Sequence, residues 1–203
     1  MDLGLLLTAF ALIAPVELPD KTFVATLVLA TRYRPLPVWL GVLGAFAVQC
    51  ALAVTAGSLL SLLPERPVQA GAALLFAVGA AVLFIGARKA DAQEKEQERE
   101  YAEKLGTEPS RAGWRAFGTS FLVLFTAEWG DLSQLLTAGL VARYGQPVPV
   151  FLGSLLALAV VSGAAVLLGR ALVKRVSLVL VRYVGAAVCA VLAVVTAVDL
   201  VRG

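Results

Sequence analysis

Apolar residues run along this chain in stretches too long for the core strands or helices of a soluble domain. Six of them stand out, at residues 3–31, 37–63, 68–87, 114–142, 147–172 and 177–201. Each is about 20 residues or more, enough to cross a hydrocarbon layer of about 30 Å as a helix. Turn residues and charge separate them. The breaks read Arg32-Tyr33-Arg34-Pro35, Pro64-Glu65-Arg66-Pro67, Arg143-Tyr144-Gly145-Gln146-Pro147 and Val173-Lys174-Arg175, which are expected helix stops. The pattern predicts an all-α membrane protein with six transmembrane helices.

Two of these stretches carry acids where a lipid-embedded helix should carry none. One contains Glu17-Leu18-Pro19-Asp20-Lys21-Thr22, the other Glu128-Trp129-Gly130-Asp131-Leu132-Ser133-Gln134. Ionisable groups at membrane depth are costly and mark function by default. The motifs belong to a longer correspondence. Glu17 matches Glu128, Asp20 matches Asp131, Thr22 matches Ser133, and Arg32-Tyr33 matches Arg143-Tyr144. After a one-residue gap, Gly41 matches Gly153 and Gly57 matches Gly169; later, Gly79-Ala80-Ala81-Val82 matches Gly185-Ala186-Ala187-Val188. The chain therefore divides into a three-helix repeat at 1–87, a charged cytoplasmic linker at 88–113 and a second three-helix repeat at 114–203. With three spans per repeat the second enters from the opposite side, an inverted repeat whose site is expected near the midplane.

Composition sharpens this picture. The 203 residues are 60% hydrophobic with a mean hydropathy of +0.87, above the 45–50% usual for soluble domains. The net charge of +3 reports topology rather than nucleic-acid binding. With the N-terminus outside, the cytoplasmic side holds 13 Lys and Arg residues and the outer side three, so both termini are expected outside. The absence of His removes the commonest ligand for zinc or copper. Cys50 and Cys189 have no metal-ligand spacing and read as small buried hydrophobes. Asp2 stands where a signal peptide would be basic. The linker, with seven basic and seven acidic residues from Arg88 to Arg115, reads as a solvated tether.

In a continuous helix, residues three apart share a face. Glu17 with Asp20, and Glu128 with Asp131, would each point one way, and Gln134 would extend the second stripe. Two such helices crossing at the midplane bring four carboxylates together, an oxygen-only set suited to hard divalent ions. Pro19 leaves the carbonyl of Pro15 without its donor, and Gly130 weakens the second helix at the same place. The first span of 29 residues would extend about 43 Å if straight, so helices 1 and 4 are expected to kink at their motifs. Thr22 and Ser133, on straight helices, would point away from the acids. Trp39, Trp114, Tyr33, Tyr144 and Tyr183 read as interfacial belts, and Gly41, Gly44, Gly153 and Gly163 as close helix packing.

The motifs hold four acids and one base, Lys21, whose counterpart is Leu132. One divalent ion would leave net charge −1, a poor state to bury. Protonation of a carboxyl corrects it, and protons would replace the metal when it leaves. The reading is a transporter, not an enzyme: export of a divalent cation against protons, with the cation and protons as cargo and no prosthetic group. Two rivals are an intramembrane aspartyl protease using Asp20 and Asp131, and an exporter of amino acids or small solutes.

The paired Glu-x-Gly-Asp-(Lys/Arg)-(Thr/Ser) motifs, one per three-helix repeat around a charged loop, resemble the GDT family. That family includes bacterial manganese exporters and eukaryotic Golgi manganese/calcium transporters, within the wider cation/Ca²⁺ exchanger superfamily. The resemblance implies Mn²⁺ first and Ca²⁺ second, exchange for protons, and a bacterial inner membrane. It makes Glu17, Asp20, Glu128 and Asp131 the cation ligands, with Lys21, Thr22, Ser133 and Gln134 completing the motifs. The chain departs from the pattern at Pro19, where Gly is usual, and at Leu132, where a base is usual. The expected partners are the divalent ion and the bilayer, without nucleic acid, and a small bundle of this kind allows a homodimer.

Overall fold

The computed structural model describes residues 2–18, 21–87, 99, 103, 113–175 and 178–202. Eight helices of more than one turn make up the described chain, with no strand: α1 (Leu3–Glu17), α2 (Lys21–Arg32), α3 (Pro35–Leu60), α4 (Glu65–Ala87), α5 (Gly113–Ala127), α6 (Leu132–Tyr144), α7 (Pro147–Arg175) and α8 (Leu178–Arg202). The count differs from six because both motif-bearing stretches are interrupted. α1 continues through Pro15, ends at Glu17 and resumes as α2, the two axes differing by 68°. α5 ends at Ala127 and resumes at Leu132. Almost all of the expected linker at 88–113 lies outside the described residues.

Local chemistry accounts for most boundaries. Asp2 caps α1, its side chain accepting from the Leu5 N–H at 3.0 Å. Pro35 and Pro147 open α3 and α7, where a missing N–H costs nothing. Gly145 ends α6 in the left-handed region, with φ 64°, and its N–H returns to the Val141 carbonyl at 2.8 Å. Among the described residues, four helices are long and apolar enough to cross a membrane: 35–60, 66–87, 147–167 and 182–201. The bent pair α1–α2 supplies a fifth such span.

The packing interleaves the two halves. α3 lies along α5 and α6: Gly41 meets the Phe117 carbonyl, and Gly57 meets the Ala138 carbonyl. α7 lies along α1 and α2: Gly153 meets the Leu6 carbonyl, and Phe23 packs with Val161 and Ala165. In both cases residue numbers rise together, so each long helix runs parallel to the broken one it touches. The short turn at Gly145–Gln146 makes α7 antiparallel to α6. It follows that α1–α2 and α5–α6 run in opposite directions. The Gly41–Phe117 and Gly153–Leu6 contacts join equivalent positions of the repeat. A Cβ at either glycine would fall 2.4 or 2.3 Å from the facing carbonyl oxygen, so only glycine allows this approach.

Several side chains assigned to membrane interfaces or loops by sequence alone hold helices together. Trp39 is half-buried and donates its indole N–H to the Ala159 carbonyl at 3.2 Å, joining α3 to α7. Arg182 is buried and donates to the Gly86 carbonyl near the end of α4. Arg143 reaches α8, pairing with Asp199 at 2.7 Å and donating to the Leu192 carbonyl at 3.3 Å. Asp199 is half exposed, and exposed pairs contribute about 0–1 kcal/mol. Asp199→Asn is therefore expected to lower the melting temperature in detergent by only a few degrees; a larger drop would mean the pair is shielded from water. Cys50 and Cys189 are both free and buried, as small hydrophobes are.

Candidate functional site

The two helix breaks meet inside the bundle. Glu17 ends α1, Glu128 follows the last turn of α5, and Asp131 precedes α6. One carboxylate oxygen from each of the three lies within 4.8 Å of the other two. Glu17 and Glu128 are 1% exposed. Helical spacing alone would join the acids of each motif along one face. In the second half, convergence is instead achieved by breaking the helix. Residues 128–130 form a turn whose Gly130 has φ 74°, a conformation that favours glycine.

Asp131 is held by the start of α6. Its Oδ2 accepts from the Ser133 N–H at 3.3 Å and its Oδ1 from the Gln134 N–H at 3.1 Å, the geometry of an N-cap. This fixes the carboxylate and sets an anion at the positive end of a helix dipole. α1 and α5 present their C-terminal ends to the same region, and such ends favour cations.

Ser133 does not point away from the acids. Its hydroxyl lies 2.8 Å from Asp131 Oδ2 and 3.2 Å from Glu17 Oε1, so one side chain bridges the two halves. Lying in the first turn of α6 after the break, it is freed from the straight-helix geometry that would turn it outward. Gln134 does not extend an acidic stripe either. It folds back over the turn, donating its amide to the Glu128 carbonyl and accepting from the Gly130 N–H at 3.2 Å. Thr22 lies buried on α2. Pro19, Asp20 and the side chain of Lys21 are outside the described residues.

Gln49, which lies outside both motifs, supports the second break. Buried on α3, it donates Nε2 to the Phe125 carbonyl at 3.1 Å. That carbonyl's ordinary partner would be the N–H of residue 129, beyond the end of α5, so Gln49 closes a bond the helix break opens. A lone amide inside an otherwise apolar span was the available signal.

Apolar spans closed around buried carboxylates define an integral membrane protein with an ionisable centre. The chain belongs to the family described as "Divalent cation/proton antiporter GDT1", whose model matches residues 5–91 and 116–203. It is 34% identical over 188 residues to a GDT1-like protein of Synechocystis sp., an alignment covering 86% of this chain and 91% of that one. It is 31% identical over 185 residues to GDT1-like protein 3 of Arabidopsis thaliana, covering 85% and 63%. It is 30% identical over 216 residues to the chloroplastic PAM71-homolog of the same plant, covering 93% and 57%. The chain thus spans nearly all of the first relative and less than two thirds of the plant proteins. No solved structure matches it. The family is one of cation transporters rather than catalysts.

Proposed function

We propose that this chain exports divalent cations in exchange for protons, Mn²⁺ first and Ca²⁺ second, from a centre formed by Glu17, Asp20, Glu128 and Asp131. The observation that carries the reading is the convergence of carboxylates from both halves of the chain in one buried place. The ligands are oxygens, which suit Mn²⁺, Ca²⁺ and Mg²⁺ over softer metals. Opposite ligands of a Ca²⁺ ion are about 4.6–5.2 Å apart, and of Mg²⁺ about 4.0–4.2 Å. Oxygens of Glu17, Glu128 and Asp131 within 4.8 Å of one another are close enough to share one such ion.

Charge supports exchange. Two carboxylates about 4.8 Å apart repel by roughly 3–4 kcal/mol at an effective dielectric of 20. Three ionised together without a cation are disfavoured, and protons replace the metal at the same oxygens. The family's description as a divalent cation/proton antiporter favours the same coupling. The antiparallel run of α1–α2 and α5–α6, with the equivalent Gly41 and Gly153 contacts, favours a six-span inverted repeat of 1–87 and 114–203. Each broken pair then counts as one span, 88–113 joins the repeats on the cytoplasmic side, and both termini lie outside. Alternating access follows if one repeat rocks against the other around the carboxylates. A bacterial inner membrane fits this topology.

Purified protein in liposomes carrying a divalent-sensitive dye and a pH dye tests the reading. Mn²⁺ and Ca²⁺ are expected to move with an opposing proton flux, Mn²⁺ faster. Divalent flux with no proton movement at any pH would sink the exchange mechanism. No flux of any divalent cation would sink the transport reading.

A further inference from the structure

The register that pairs Glu17 with Glu128 continues one helical turn beyond the motifs, pairing Thr22 with Ser133 and Thr26 with Thr137. Four hydroxyls therefore line the two half-helices that leave the acidic centre, Thr22 and Thr26 on α2, Ser133 and Thr137 on α6. All four are at least 95% buried. Because the broken pairs run in opposite directions, α2 carries its hydroxyls toward one membrane face and α6 toward the other.

The two sets are bonded differently. Ser133 engages Glu17 and Asp131. Thr137 donates to the Ser133 carbonyl at 2.7 Å and lies 3.1 Å from the Ser154 hydroxyl on α7. The hydroxyls of Thr22 and Thr26 have no hydrogen-bond partner among the described residues. Helical threonines ordinarily bond a carbonyl one turn back, as Thr55, Thr126 and Thr196 do here. A buried hydroxyl that makes no such bond is costly, a cost that a passing water or ion would relieve. Ser154 has no equivalent on the first side. Its counterpart is Val42, buried and apolar.

We propose that these hydroxyls are two half-paths joining the acidic centre to opposite membrane faces, with Thr22 and Thr26 lining one, Ser133 and Thr137 the other, and the Thr137–Ser154 bond holding the second closed. The inference rests on the transport reading and adds how the cation reaches the carboxylates. A hydroxyl replaces a hydration oxygen without adding fixed charge, so an ion can step along it and leave again. Further carboxylates would hold the ion too tightly. The first half-path has no such latch beside Thr26.

Side-specific labelling tests this. Thr26→Cys and Thr137→Cys are made separately in a Cys50→Ala, Cys189→Ala background and exposed to a charged, membrane-impermeant thiosulfonate in vesicles of either orientation. Each is expected to react from one face only, the two faces opposite. Reaction of both from the same face, or of neither, overturns the proposal. In a second arm, Thr26→Val is expected to cut Mn²⁺ flux about tenfold while Mn²⁺ binding, read from Trp129 fluorescence, stays constant. Thr26→Ser is expected to restore flux. Unchanged flux in Thr26→Val also overturns it. Absence of flux in the unsubstituted protein would instead defeat the transport reading, whatever the labelling shows.

Discussion

Glu17→Gln, Glu128→Gln and Asp131→Asn should each lower divalent cation flux by about a hundredfold or more, because ligand charge sets the affinity of such sites over orders of magnitude. The substitutions preserve shape, which separates chemistry from folding. Asn is as good an N-cap as Asp, so Asp131→Asn keeps the bond from the Gln134 N–H to Oδ1 that caps α6, while its amide nitrogen cannot accept from Ser133 as Oδ2 does. Its loss of flux would then report the missing charge, whereas Asp131→Ala should also lose about 1 kcal/mol of stability with the cap. Gln keeps the size of Glu and one acceptor oxygen, so neither Glu17→Gln nor Glu128→Gln should lower the melting temperature by more than a few degrees. Metal flux in liposomes and thermal unfolding in detergent read the two effects apart. If Glu17→Gln retained flux within about twofold, the carboxylate centre would not be the transport site. If it melted far below the parent, Glu17 would be a packing element instead.

The acidic motifs were legible because charge in an apolar stretch is a strong signal, and the correspondence between the halves was legible as Glu, Asp and Arg-Tyr in register. The details of the centre were not, because helical spacing assumes an unbroken helix. Gly130 marked a weak point but could not say that the helix would stop, and the break reverses the orientation of the next two side chains. Ser133 turns into the centre and Gln134 turns back over the loop. Gln49 and Trp39 show a related limit. Each bonds a carbonyl far along the chain, Phe125 or Ala159, and no local pattern reveals such a partner. The number of helices also depended on tertiary structure. Each interrupted stretch reads as one apolar run, while its described backbone forms two helices on either side of the motif.

Gly153→Ala should be among the most damaging small substitutions in the chain. Its Cβ would fall 2.3 Å from the Leu6 carbonyl oxygen and 2.9 Å from the Ala9 Cβ. The obstacle is backbone, which cannot turn aside as a side chain can, so α1 must move away from α7. Forcing extra volume into a packed contact typically costs about 1–3 kcal/mol, here expressed as a lower melting temperature. The displacement also reaches function. α1 ends at Glu17, so a helix pushed off α7 carries that carboxylate away from Glu128 and Asp131, and Mn²⁺ affinity should fall along with stability. Gly41→Ala should behave alike, since its Cβ would meet the Phe117 carbonyl oxygen at 2.4 Å and α5 leads to Glu128 in the same way. Gly118, also on α5, is the control. A Cβ there meets nothing within 4 Å, and Gly→Ala at an open helical position stabilises by up to about 1 kcal/mol. Equal melting temperatures for Gly153→Ala and Gly118→Ala would mean that α1 and α7 do not touch at Leu6. Loss of Mn²⁺ affinity in Gly153→Ala and Gly41→Ala but not in Gly118→Ala would show that the two contacts joining the halves also set the spacing of the carboxylates.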